Sequence, residues 1–183
     1  MMSNPSKVVV VLEDDRHKMF IQRYLRKHGV DTTSVRIERS PSGRGSAEKW
    51  VCQRFVKEMA AFRRRHAKKL LIVVVDADRH TVQSRLDQLD QALRDNEDTP
   101  VTKKEEVARL VPRRNIETWI LCLTEHEVDE ETDYKEQPHQ WTKIIPDATA
   151  RLFEWGRLNS ELPSNCVDSL KKGIVELRRL DFG

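Results

Sequence analysis

The sequence predicts an α/β fold, a central parallel sheet of about four strands with helices on both faces, followed by a helical C-terminal extension. Three observations lead there. Val8 to Leu12 and Leu71 to Val75 are unbroken apolar runs rich in β-branched residues, the pattern of strands covered on both faces. The segments between and after them carry apolar residues at helical spacing. Strand and helix patterns alternate along the first two thirds of the chain, as a parallel sheet requires.

Each element has its own signal. Phe20, Ile21, Tyr24, Leu25 and His28 fall at helical spacing after the first strand, and Gly29 supplies the stop. Ser34 to Glu38 alternates as a short strand does. A second helix is expected from Ala47 to Ala67, with Ala47, Val51, Phe55, Met59 and Phe62 on one face and Gly43 and Gly45 marking its start. After the second apolar run, Val82, Leu86, Leu89 and Leu93 define a third helix that ends before the loop Asn96 to Pro100. Val107 to Val111 reads as the fourth strand, and Asn115 as the cap of a helix that runs to Leu123 and buries Ile116, Trp119 and Ile120.

The composition shifts at Glu125 to Gln140, which is acidic, polar and aperiodic and reads as a surface linker. This divides the chain into an α/β unit over 1–125 and a linker with helical extension over 126–183, packed on the sheet or on a partner. Asp147 to Trp155 predicts a short helix. Val167, Leu170, Ile174 and Leu177 predict another, opened by Ser164 or Asn165 after Pro163.

Bulk properties exclude several classes. A chain of 183 residues that is 34% charged and 38% hydrophobic has enough concentrated apolar sequence to fold around one core. A net charge of +3 is far from the balance of a histone-like binder. Cys52, Cys122 and Cys166 are odd in number and widely spaced, which suggests neither a disulfide framework nor a cysteine zinc site. No apolar run has the length of a membrane span or a signal peptide, so the expectation is a cytoplasmic protein with no membrane attachment.

The chemistry concentrates at predicted strand ends. In an open parallel sheet, ligands bind beyond the carboxyl ends of the strands, and Glu13, Asp14 and Asp15 follow one strand while Asp76 and Asp78 follow another. Asp76 and Asp78 are two residues apart, so both face one crevice if the chain stays extended. Crowded carboxylates repel unless a cation neutralises them, and hard oxygen donors suit Mg²⁺ or Mn²⁺ better than Zn²⁺. The competing reading is that these acids cap helices or face water.

The order of Glu13 after the first strand, the D-x-D of Asp76 and Asp78 after the third, and the alternating framework resembles the Toprim domain of topoisomerases, primases and small nucleases, and in particular the OLD-type nucleases of bacterial defence systems. The resemblance covers roughly residues 7–125. It implies a Toprim-like (Rossmann-like) fold, Mg²⁺ held by Glu13, Asp76 and Asp78, and cleavage of phosphodiester bonds in DNA or RNA. Pro112 to Trp119 (PRRNIETW) also looks like a stretch that follows the metal motif in small Toprim-like proteins, which makes Glu117 a further candidate ligand. Asp14 joins the candidate metal set. The family usually has Gly directly after its glutamate, whereas this chain has Asp14 and Asp15. The family also implies an ATPase partner subunit or a homo-oligomer; this chain has no Walker A motif of its own.

Two alternatives stand beside it. One is a non-catalytic Toprim-like subunit of a larger complex. The other is a receiver-type phosphorylation switch, since V-L-E-D-D resembles the acidic start of a receiver domain and Asp76 would be the phosphorylated residue. Arg44, Arg113 and Arg114 are candidate phosphate-binding residues, because their loops are expected to open on the same crevice. His17 and His80 each follow an acidic cluster and are candidate acid/base groups; a histidine there more often caps a helix. The basic run from Arg63 to Lys69 reads as a solvated helix end favoured by the helix dipole. Trp119, Trp141 and Trp155 are aromatic enough to stack on bases, but Trp119 fits a core stripe and the others seat the tail.

Overall fold

Burial parity explains the sheet. In a strand, successive side chains point to opposite faces, and here both faces are covered, so alternate residues of each apolar run feed two separate cores. Val8, Val10 and Leu12 join one core with Leu70, Ile72 and Val74, while Val9 and Val11 join the other with Leu71 and Val73. The computed structural model describes residues 7–43, 45–65, 68–157 and 159–183.

Among these residues the chain forms a four-stranded parallel sheet in the order β2-β1-β3-β4, with β1 at Val8–Leu12, β2 at Val35–Arg39, β3 at Leu70–Val74 and β4 at Val107–Leu110. Val8 stands in register with Val35 on one side and Leu70 on the other. The fold is α/β and consistent with a Rossmann-like arrangement. Helices α2 (Ala47–Arg64) and α3 (Val82–Asp95) cover one face. The opposite face carries α1 (Asp15–Lys27), α4 (Ile116–Leu123), α5 (Trp141–Gly156) and α6 (Asp168–Arg178). Because the order reverses beside β1, the carboxyl ends of β1 and β3 open side by side.

Several boundaries differ from the sequence reading. Helix α2 ends at Arg64, and His66 and Ala67, read as its last residues, lie outside the described residues. In α3 the buried stripe takes Arg85 rather than Leu86. Helix α5 begins at Trp141, six positions before the expected start, and carries Pro146 inside it. The last helix starts at Asp168 behind Val167, not at Ser164 or Asn165. The C-terminal segment packs on the sheet: Ile145, Ala148, Leu152, Leu170, Ile174 and Leu177 are buried in the same core as β1 and β3.

The tail also covers the free edge of the sheet. The outward backbone N–H of Arg109 donates to Glu176 Oε2 at 3.0 Å, and Arg179 donates to the carbonyls of Val107 at 2.8 Å and Lys103 at 3.1 Å. Edge strands expose unpaired polar groups, and this one is occupied by side chains from α6 and its C-cap. No helix among the described residues is long and apolar enough to cross a membrane.

Candidate functional site

At the carboxyl ends of β1 and β3 the chain turns from apolar to acidic on both strands at once. Glu13 leaves β1 and its Oε1 accepts the backbone N–H of Asp76 at 2.8 Å, which ties the two strand ends together. Asp14 caps α1, accepting the backbone N–H groups of Arg16 and His17 at 3.0 Å each. That helix start places His17, fully buried, between two acids: its Nε2 lies 3.0 Å from Asp76 Oδ1 and its Nδ1 3.0 Å from Asp14 Oδ1.

Charge and burial oppose each other here. Burial pushes the Glu13 carboxyl up to about 7, with the neighbouring Asp76 adding to the rise. Burial also raises Asp76, against the pull of His17. For His17 burial favours the neutral ring, but Asp76 and Asp14 overcome it and hold the imidazole well above its ordinary range. Burial works against an ionised Asp14 too, yet the His17 contacts and Lys135 hold its carboxyl well below the usual range.

Asp78 departs from the geometry expected of it. An extended D-x-D would aim both aspartates into one crevice; instead Asp78 takes a left-handed backbone with φ of 52°, and its side chain is 59% exposed while Asp76 is buried. Its N–H donates to the Arg114 carbonyl at 3.1 Å, joining the turn after β3 to the loop after β4, and its carboxylate lies 3.6 Å from Arg85. Its charge still reaches Glu13, adding to the rise of that carboxyl.

Glu117, in the first turn of α4, is 1% exposed. Arg16 donates to its Oε1, but Oε2 is buried without a hydrogen-bond partner. A buried carboxylate oxygen without a donor is costly, and such an atom calls for an explanation. The Glu117 charge also helps raise Asp76, so α4 brings it to the same sheet edge.

The remaining residues from the sequence reading scatter. Arg113 pairs with Glu131 at 2.6 Å and Arg114 with Asp133 at 3.1 Å, so both face the segment read as a linker. His80 is exposed on the turn after Asp78 and lies toward Glu48. Arg44 lies outside the described residues.

Three residues of this site escaped the sequence reading. Arg85, 1% exposed, donates to the carbonyl of Asp76 at 3.0 Å and pairs with Glu48 at 2.9 Å, pinning the D-x-D turn from below. Its signal was available, since it stands three residues after Val82 on the apolar stripe. Arg16 has no such mark. Neither has Lys135, which reaches from the 125–140 segment to within 3.6 Å of Asp14 Oδ2 and whose pKa is raised by Asp14, Asp76, Glu117 and Glu13 against the pull of burial.

Among the described residues, no group of three or more His, Cys, Asp and Glu side chains is drawn together as a finished metal-binding set. The donor chemistry nevertheless fits a hard divalent cation. The acids at this edge are all-oxygen donors, burial and mutual repulsion raise Glu13 and Asp76, and Glu117 Oε2 has no donor. Comparison with protein-family models, curated proteins and solved structures returned no match.

Proposed function

We propose that this protein is a Mg²⁺- or Mn²⁺-dependent Toprim-like nuclease that cleaves phosphodiester bonds in nucleic acid at the edge formed by Glu13, Asp76 and Glu117. One observation carries the reading: at the carboxyl end of the sheet Glu13 accepts the backbone N–H of Asp76, the Glu117 charge reaches Asp76 from α4, and the buried Glu117 Oε2 has no partner. Glu13, Asp76 and Glu117 would hold the cation, with Asp78 and Asp14 at its margin. Bound there, the ion would polarise a phosphoryl oxygen and lower the pKa of water.

The chain's own residues contribute the rest. Arg85 and the Glu13 contact fix the backbone of Asp76, so its carboxylate is positioned before any ligand arrives. His17 orients that carboxylate as an imidazolium, with a proton on each ring nitrogen, Nε2 toward Asp76 and Nδ1 toward Asp14. Lys135 brings a cation to the acids, while Arg113 and Arg114 would meet a phosphate only on releasing Glu131 and Asp133. The defence-system setting and an ATPase partner follow from the resemblance alone and belong to this proposal.

The test is cleavage of a DNA and RNA panel with Mg²⁺ and Mn²⁺ by the wild type, Asp76→Asn and Glu117→Gln. Metal-dependent cleavage that drops by about a hundredfold or more in Asp76→Asn, beyond the roughly 10–100-fold typical of losing a group that only orients a ligand, is the expected result. Undiminished cleavage by a folded Asp76→Asn protein sinks the proposal. Metal binding without cleavage in any variant assigns the chain to the non-catalytic subunit role.

A further inference from the structure

Beside the acidic edge, the start of α1 and the start of α5 enclose an open cleft of about 610 Å³. Its walls include Asp15, Arg16, Met19, His139, Trp141 and Lys143. Three of these groups are planar and cluster together: the Arg16 guanidinium carbon lies 4.7 Å from the Trp141 ring centroid, and the His139 ring centroid lies 5.0 Å from it at a 56° tilt. The same Arg16 donates to Glu117, so the cleft and the candidate metal edge share a side chain. Its one acid, Asp15, is paired with Arg39 at 3.2 Å, while Lys143 is exposed at the rim.

Planar cationic and aromatic groups with exposed polar neighbours are poor lining for an aliphatic ligand. They match a nucleobase: Arg16 already covers one face of the Trp141 indole, so a base would extend that stack on the outer side of the partly exposed guanidinium, with His139 beside it and nearby cations meeting its phosphates. A base inside a duplex is stacked on both sides and has no free face to offer. From these observations we infer that the Trp141–Arg16–His139 cleft binds an unstacked base of the strand whose phosphate lies at the acidic edge, so the substrate is single-stranded nucleic acid. The inference rests on the nuclease reading and names its substrate class. Arg16, fixed by Glu117, sets the distance between the held base and the acids.

The test is fluorescence anisotropy with a mixed-sequence single-stranded oligonucleotide, as DNA and as RNA, and with the corresponding duplexes, in Ca²⁺ buffer. Single strands bind the wild type more tightly than duplexes, Trp141→Ala weakens single-strand binding about tenfold, the range for losing one stacked base, and Trp141→Phe restores most of it. Because Trp141 also packs against the core, each variant is melted first, and His139→Ala, at the mouth of the cleft, repeats the test with less risk to folding. Single-strand affinity unchanged in folded Trp141→Ala and His139→Ala proteins overturns the inference, as does equal or tighter binding of duplex. Asp76-dependent cleavage of duplex that ignores both substitutions overturns this inference alone and leaves the nuclease reading standing. Trp141-dependent binding of single strands without metal-dependent cleavage supports the cleft and overturns the nuclease reading.

Discussion

At the scale of single residues, Glu13 connects charge to stability. Its folded-state pKa of about 7 lies above the ordinary 4.5, so between those values the folded chain holds a proton that the unfolded chain has released. Stability therefore falls as pH rises through that window, by up to about 3 kcal/mol from this group alone. Asp14 works in the opposite sense: its lowered pKa contributes stability above its ordinary 3.8 that is lost as pH falls below that value. The expected result of thermal melts in chelator is a lower Tm at pH 8 than at pH 6, and Mg²⁺ should raise Tm more at pH 8, where the acids are ionised. A Tm that rises steadily from pH 5 to 8 without metal contradicts this account. The sequence showed Glu13 and Asp76 at strand ends because the crevice rule needs only strand order. It could not show that Asp78 sits exposed in a left-handed turn, because that depends on one residue's backbone and on a bond to Arg114, 36 positions away in the chain.

At the scale of elements, α4 and α6 meet in a close approach with no room for another atom. A Cβ on Gly173 would stand 2.4 Å from Trp119 Cη2, and the Trp119 indole N–H donates to Ser169 Oγ at 2.7 Å. Gly173→Ala forces the buried ring to shift and should cost about 1–3 kcal/mol, the range for overpacking, read as a lower urea midpoint with unchanged slope. The 125–140 segment behaves as an element of its own, because Asp133 accepts from Arg114 at 3.1 Å and from the Asn115 side chain at 2.7 Å. Asp133→Ala should leave the core intact while making this segment an early protease site, visible in a limited-proteolysis time course; unchanged cleavage would show that these contacts do not hold it. Periodicity revealed the helices of the sheet unit to within a few residues, since their apolar stripes are regular. It missed the start of α5, where Pro146 interrupts the pattern, and read the 125–140 segment as a linker because its anchors are charges paired with distant residues.

At the scale of the whole molecule, the tail completes one of the two cores. Ile145, Leu152, Leu170 and Ile174 share a cluster with β1, β3 and α1, so a chain ending at Glu125 would expose the apolar face of the sheet. Such a truncation should lose cooperative thermal unfolding and gain dye-detectable apolar surface, whereas a cooperative melt would show that the first 125 residues fold alone. The division at 125 follows a real change in composition, yet hydrophobic pattern alone does not say which core a distant helix enters. The side chains of α6 and its C-cap on β4 have a consequence for assembly. With the Arg109 N–H and the Val107 carbonyl of β4 already taken by Glu176 and Arg179, β2 is the edge more open to a second chain. A strand-by-strand pairing of two copies is therefore expected to be a two-fold arrangement centred on β2.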